Sequence, residues 1–183
     1  MLIEDGRTGK SAAVSYEGML HSLATIKSME THHSEVHGSS YMVGNGMITA
    51  SGTDNVVLYL KNTSQTDLLY IHEMSASTTA ANAYISMHKN PVYSSGGVTT
   101  NPVNMNFTKA DYSNIDVYTG NSLTLSEAGT PILGGYIATG ITSMSMKGAI
   151  ILGYNDSLCW KFNATTSSKG SIGVRFYYHG GLY

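Results

Sequence analysis

The sequence predicts an all-β protein, an antiparallel jelly-roll β-sandwich with an extended N-terminal arm. Three observations favour this class. The 183 residues include 20 glycines and 13 tyrosines, only 12% of them are charged, and short apolar or alternating runs recur between turn-forming residues. Short runs of this kind, closed by turns, are typical of strands rather than helices. No repeat of fixed period indicates a propeller or a solenoid.

Eight runs qualify as strands, which is the number in a jelly roll. Each is a short apolar or alternating segment with turn-forming residues at its ends. In chain order they are Val56–Lys61, Leu68–Ser75, Ala83–His88, Val103–Phe107, Ile115–Tyr118, Ala149–Tyr154, Leu158–Asn163 and Ile172–His179.

The first two runs are joined by "KNTSQTD", a polar segment suited to an antiparallel hairpin. The next three runs are shorter and more polar, and Pro91 and Pro102 lie near their ends, where no ladder donor is required. They are typical of sheet edges or of strands carried on loops.

The C-terminal third is the most apolar part of the chain. Two runs flank "GYND", and in the last run Ile172, Val174, Phe176 and Tyr178 occupy every second position. This alternation predicts a strand within the sheet that turns one face inward. The segment Ser122–Lys147, rich in Gly, Ser and Thr, is predicted to be a long loop or an irregular pair of strands.

Residues 1–50 are predicted to form the N-terminal arm and residues 51–183 the jelly-roll domain. The stretch "YEGMLHSLATIKSMETHHSEV" fits a helix about as well as a strand, so its structure stays open. Such a segment would gain its order from a neighbouring subunit, which predicts a homo-oligomer, with a trimer preferred.

Composition limits the partners. The net charge of −2 gives no basic excess for nucleic acid or anionic lipid, and no run of about 18 apolar residues predicts a membrane span. The start, "MLIEDGRTGK", lacks the basic and then apolar order of a secretory signal. Cys159 is the only cysteine, so no intrachain disulfide is possible. We expect a soluble chain made in a reducing compartment.

The segment "METHHSEVHG" concentrates His32, His33, Glu35 and His37 in a chain otherwise poor in charge. "HSEVH" keeps the histidine spacing of the HExxH metalloprotease helix, but Ser34 stands where that motif needs its general base, and Glu35 would lie about 200° around the helix from His33. On a strand, His33, Glu35 and His37 would share one side. We expect no catalytic metal site here. At most these residues form a contact between subunits, and whether such a contact would bind a metal stays open.

Other candidates also lack a catalytic arrangement. Cys159 lies in the apolar "SLCWKF" and is expected to be an inert core residue. His72 and His88 are single histidines within strands, and the glycine groups lack the order of phosphate-binding loops. Distant carboxylates could pair on folding as in a glycosidase, although nothing in the sequence singles out a pair. We therefore predict no catalytic, cofactor-binding or metal-binding residue.

An aromatic set remains as a possible binding surface for carbohydrate or for other subunits. About half of it is expected in the core, because aromatic residues favour strands and packing. The set is Tyr59, Tyr70, Tyr84, Tyr154, Trp160, Tyr177 and Tyr178.

The segments "EDGRTGKSAAVSYEGML", "LYLKNTSQTDLLYIHEM", "NPVNMNFTKADY", "GAIILGYNDSLCWKFNA" and "VRFYYH" together resemble structural proteins of tailed bacteriophages, particularly marine and environmental phages. The resemblance covers most of the chain and rests on a short acidic and glycine-containing opening followed by jelly-roll strands. It implies a virion component, such as a head decoration protein, head fibre or tail-associated protein, and it carries no catalytic residues.

The predicted function is that of a non-enzymatic virion structural protein, made in the host cytoplasm. A capsid decoration protein that binds the major capsid protein or other virion subunits comes first. A tail or head-fibre adaptor that binds a receptor, with exposed tyrosines in a carbohydrate-binding groove, is the alternative.

Overall fold

The computed structural model describes residues 2–4, 11–14, 20–21, 37–80, 83–112 and 114–180, and strands dominate them. All strand pairings are antiparallel. The strands are β1 (Leu2–Glu4), β2 (Ser11–Val14), β3 (Leu20–His21), β4 (Ser40–Gly44), β5 (Ile48–Asn62), β6 (Asp67–Thr78), β7 (Ala83–Lys89), β8 (Val92–Ser95), β9 (Val98–Thr99), β10 (Val103–Asn104), β11 (Ile115–Glu127), β12 (Thr130–Ile137), β13 (Gly140–Leu152) and β14 (Ser157–Gly180).

The long strand β14 organises the fold. Its first half pairs with β5 and β7, and its second half pairs with β4 and β6. The register with β5 shifts between Ala164 and Ser168, where β14 passes from one layer to the other. One layer therefore has the order β12-β7-β14-β5-β11, and the other has the order β13-β6-β14-β4-β10.

The two layers pack face to face around one core, which confirms the predicted all-β sandwich. Trp160 and Phe162 from the first half of β14 and Val174 and Phe176 from the second half belong to the same buried cluster. Because side chains alternate along a strand, each half turns every second residue into this core. The predicted inward face of the last strand is confirmed by the buried Ile172, Val174, Phe176 and Tyr178.

A smaller cluster covers the outer face of the first layer. It contains Val56, Tyr59, Leu123 and Cys159. The end of β11 folds over this face after a register shift between Thr119 and Leu123 and pairs with β8. The turn after β8 needs Gly96, since a Cβ there would lie 1.9 Å from the Ser122 carbonyl oxygen. The first half of β14 is consequently buried on both faces.

The proposed hairpin across "KNTSQTD" is not formed, because β5 and β6 lie on opposite sides of β14. The connector instead crosses between the layers. The Asn62 side-chain amide donates to the Asp67 and Leu152 carbonyl oxygens, at 2.9 Å each, and its Oδ1 accepts from the Ser64 backbone N–H at 3.0 Å. These bonds satisfy backbone groups that a sheet would otherwise pair.

Several strand expectations also need correction. Ala83–His88, expected at an edge, lies in β7 between β12 and β14. Only Val103–Asn104 of the fourth predicted run is a strand, and Phe107 is exposed. The last two predicted runs, Leu158–Asn163 and Ile172–His179, are parts of the single strand β14.

The sandwich begins inside the segment assigned to the arm. β4 pairs with β14 and with β10, and it places Tyr41 and Val43 in the core. Residue 51 therefore does not mark the start of the sheet. Nearer the N-terminus, β1, β2 and β3 form a three-stranded antiparallel sheet of their own.

Within the described ranges, no helix has the length and apolar character needed to cross a membrane.

Candidate functional site

The histidine cluster falls largely outside the described residues. His32, His33 and Glu35 all lie there, so the expected subunit contact stays a prediction. His37 is described, is exposed and precedes β4. In the part of the chain that the structure describes, no group of three His, Cys, Asp or Glu side chains is arranged to hold a metal ion.

Cys159 is fully buried beneath the end of β11. Burial raises the pKa of its thiol to about 12, and the nearby Lys161 ammonium acts in the opposite direction without reversing the shift. The thiol therefore stays protonated near neutral pH, whereas the thiolate is the nucleophilic form. This geometry agrees with the expected packing role.

The aromatic set divides between interior and surface. Tyr59, Trp160, Tyr177 and Tyr178 are buried, whereas Tyr154 is 53% exposed. Tyr70 and Tyr84 are intermediate. Two exposed tyrosines each mark a candidate binding surface. Tyr154 belongs to the predicted set, whereas Tyr136, which is 75% exposed, does not.

The first candidate surface lies on β12 and β13, and we call it the β12–β13 surface. It is defined by the exposed Ile132, Tyr136, Ile141 and Met144. Among the described strands, β12 pairs only with β7 and β13 pairs only with β6. Each is therefore an edge strand, β12 of the first layer and β13 of the second. Their free backbone donors and acceptors are the usual template for pairing with another chain.

These strands are more exposed and carry fewer charges than edge strands usually do. In the first six residues of β13, Gly140–Ser145, every residue is exposed, so neither face of that segment is covered. Natural edge strands commonly carry charges that oppose pairing. Between Ala128 and Gly153 the only charged residue is Lys147. It lies in the register shift between Ser145 and Ile150, at a φ of 50°, away from the exposed segment.

An apolar cavity of about 100 Å³ opens beside this surface. Core residues Ile85 and Met87 line it from β7, and Leu133, Tyr136 and Met144 line it from the edge strands. The lack of a side chain at Gly134 leaves room for the Tyr84 ring, because a Cβ there would lie 2.0 Å from the Tyr84 hydroxyl oxygen. The Tyr84 and Tyr136 rings then meet edge to face, with centroids 5.3 Å apart.

The second candidate surface is a cleft of about 300 Å³ at one end of the sandwich, which we call the end cleft. One wall is Asn90–Val92, after β7, and the other is Tyr154–Ser157, between β13 and β14. Tyr59 and Lys61, from the outer face of β5, complete it. Burial raises the pKa of Tyr59, whose hydroxyl contacts Ser157.

Hydrogen bonds join the two walls at their base. The Asn90 backbone N–H donates to the Ser157 carbonyl at 2.8 Å, and the Ser157 hydroxyl donates to the Pro91 carbonyl at 2.8 Å. The Ser157 backbone N–H also donates to Asn90 Oδ1 at 3.3 Å. Asn90 and Asn155, at φ of 52° and 66°, occupy the left-handed region that asparagine tolerates. The cleft is therefore held in shape by backbone and side-chain hydrogen bonds between its own walls.

Comparisons of the chain with protein-family models, with curated proteins and with solved structures gave no match. Function is accordingly inferred from the two surfaces.

Proposed function

We propose that the chain is a non-enzymatic structural subunit of a tailed-phage virion, a capsid decoration protein that assembles as a homotrimer and binds the major capsid protein. The sequence resemblance supports the virion setting. The observation that carries the proposal is the β12–β13 surface, where β12 and the first six residues of β13 present exposed apolar side chains and carry no charge.

The first occupant of this surface is a second copy of the chain. In a trimer each copy presents one part of its surface to a different part of the next copy, so the two parts that meet must be compatible in charge. The exposed segment Gly140–Ser145 and the whole of β12 carry no charge, so no Coulombic repulsion opposes a contact between copies. Such a contact would cover Ile132, Tyr136 and Ile141 and pair the free edges of the strands.

A decoration protein gains affinity from repetition. Several copies joined into one oligomer bind several shell subunits at once, so weak individual contacts add through a high effective concentration. The β-sandwich supplies a rigid support, and no chemical step is needed.

Gold-conjugated antibodies against the chain, applied to purified particles whose genome encodes it, test this function. A decoration protein gives dense labelling over the whole head. Labelling confined to the tail would replace it by the adaptor alternative. Particles that carry no label, and whose mass spectra lack the chain, would refute a virion role.

A further inference from the structure

We propose that the end cleft binds a neutral saccharide, with the Tyr154 ring against the apolar face of a sugar and the surrounding side chains on its hydroxyl groups. This inference does not depend on the proposed assembly through the β12–β13 surface, which lies on other strands.

The shape of the cleft comes first. Its volume of about 300 Å³ lies at the lower end of the range for small-molecule sites, roughly 300–1,000 Å³. The hydrogen bonds of Asn90 and Ser157 fix both walls without a ligand. A preformed site loses little conformational entropy on binding, which favours weak polar ligands that could not organise a loose site.

The cleft combines an aromatic ring with hydrogen-bonding side chains, which suit the C–H face and the hydroxyl groups of a sugar. Tyr154 supplies a half-exposed aromatic ring, and aromatic faces pack against C–H groups. Asn155 can both donate and accept hydrogen bonds, the Lys61 ammonium can donate, and Asp156 can accept. One oxygen of Asp156 already accepts from the Gly153 backbone N–H at 3.0 Å, which orients the carboxylate.

Charge separates a saccharide from a phosphate ligand. Among the described residues, Lys61 is the only cation lining the cleft, and Asp156 lines it too, so the two formal charges cancel. A phosphate would be drawn to Lys61 but repelled by the carboxylate. A neutral ligand with many hydroxyl groups satisfies both groups and meets no such repulsion.

Saturation-transfer difference NMR on the full-length chain tests the inference. The probes are glucose, galactose, mannose, N-acetylglucosamine, maltose and lactose at millimolar concentration. We expect saturation transfer to at least one of them, strongest at the C–H protons of one sugar face. No transfer to any of the six, with the chain folded by circular dichroism, would overturn the proposal.

Two variants separate the cleft from the rest of the surface. Tyr154→Ala should weaken binding of the positive sugar by about tenfold or more, and Asn155→Gly, which retains the freedom to adopt a positive φ, should also weaken it. Tyr136→Ala is the matched control, since it removes an exposed tyrosine outside the cleft and should leave the dissociation constant unchanged. Equal binding by Tyr154→Ala and the wild-type chain would contradict the proposal.

The controls also keep the two proposals apart. Loss of oligomers in Tyr136→Ala with sugar binding retained would leave the saccharide site intact. Sugar binding unaffected by Tyr154→Ala would refute the site while the assembly surface stands.

Discussion

β14 lies at the centre of the sheet, whereas β12 and β13 lie at its edges, and the two regions differ in how far they are buried. β14 is paired on both sides, with β4, β5, β6 and β7, and Leu158, Trp160, Val174 and Phe176 along it are fully buried. Among the described strands, β12 and the first half of β13 are paired on one side only, and most of their residues are exposed, although Leu133 and Ile137 of β12 pack partly against the core. The residues of β14 are explained by the fold of one chain, whereas the exposed apolar residues of β12 and β13 are what the proposed contact between copies would cover.

The largest expected effect on stability comes from replacing a buried aromatic residue of β14. Trp160→Ala should lower the free energy of unfolding by about 3–5 kcal/mol, because it leaves a cavity between the layers. Tyr154→Ala, which removes a half-exposed ring, should change it by less than about 1 kcal/mol. Urea denaturation followed by circular dichroism measures both values. Similar losses for the two variants would show that the centre of the sheet is not the stabilising part.

Truncation tests whether β4 belongs to the folded sandwich. A chain starting at Gly46 lacks β4, whereas a chain starting at Gly38 retains it. The Tyr41 ring lies with its centroid 5.8 Å from that of Phe176, and Val43 is also buried. The shorter chain should therefore be less stable than the longer one by about 3 kcal/mol or more. Thermal unfolding of the pair decides, and equal midpoints would place β4 outside the cooperative unit.

A charge on the edge strands should break assembly without breaking the fold. Ile141→Lys places an ammonium at an 83% exposed position, so the intrinsic stability of one chain should change by under about 0.5 kcal/mol. The dissociation constant of the oligomer should rise by about 100-fold, because an unpaired charge would be buried in the contact. Sedimentation velocity measures the change.

Phe107→Lys is the matched control, since Phe107 is 84% exposed and lies in the connection between β10 and β11. Oligomers lost in this control but kept in Ile141→Lys would move the interface away from β12 and β13.

The smallest expected effect is a pH dependence from His88 on β7. Burial, and then the Lys161 ammonium, lowers the pKa of His88 below its ordinary value of 6.5, while Asp54 acts in the opposite direction. The unfolded chain then binds this proton more readily, so His88 reduces stability as the pH falls below about 6.5. Unfolding at pH 7.5 and 5.5 should show a smaller loss in His88→Gln than in the wild-type chain. An identical loss in both chains would exclude this role.

Most strands with a covered face were predictable from the sequence, apart from β4, which places Tyr41 and Val43 in the core, whereas the exposed strands were not. Ile172–His179 alternates because one face packs inward, and it was recognised. Gly140–Ser145 has no such alternation, because neither of its faces is covered within one chain, and in β12 only Leu133 and Ile137 are partly buried. Ser122–Lys147 was therefore open between a loop and a strand pair, and the structure forms strands there.

The candidate surfaces were only partly predictable. Tyr154 was recognised as a possible surface aromatic residue, but its cleft depends on Asn90 meeting Ser157, which lies 67 residues further along the chain. Tyr136 was missed because its segment lacked a strand pattern. The absence of charge between Ala128 and Gly153, apart from Lys147, was the signal available in the sequence.

Multi-angle light scattering of the wild-type chain tests the central claim, that the β12–β13 surface joins copies of this protein. Across a dilution series in the micromolar range, we expect a mass of about three times 19.5 kDa, falling toward the mass of one chain in Ile141→Lys. A wild-type chain that stays at 19.5 kDa throughout would contradict it.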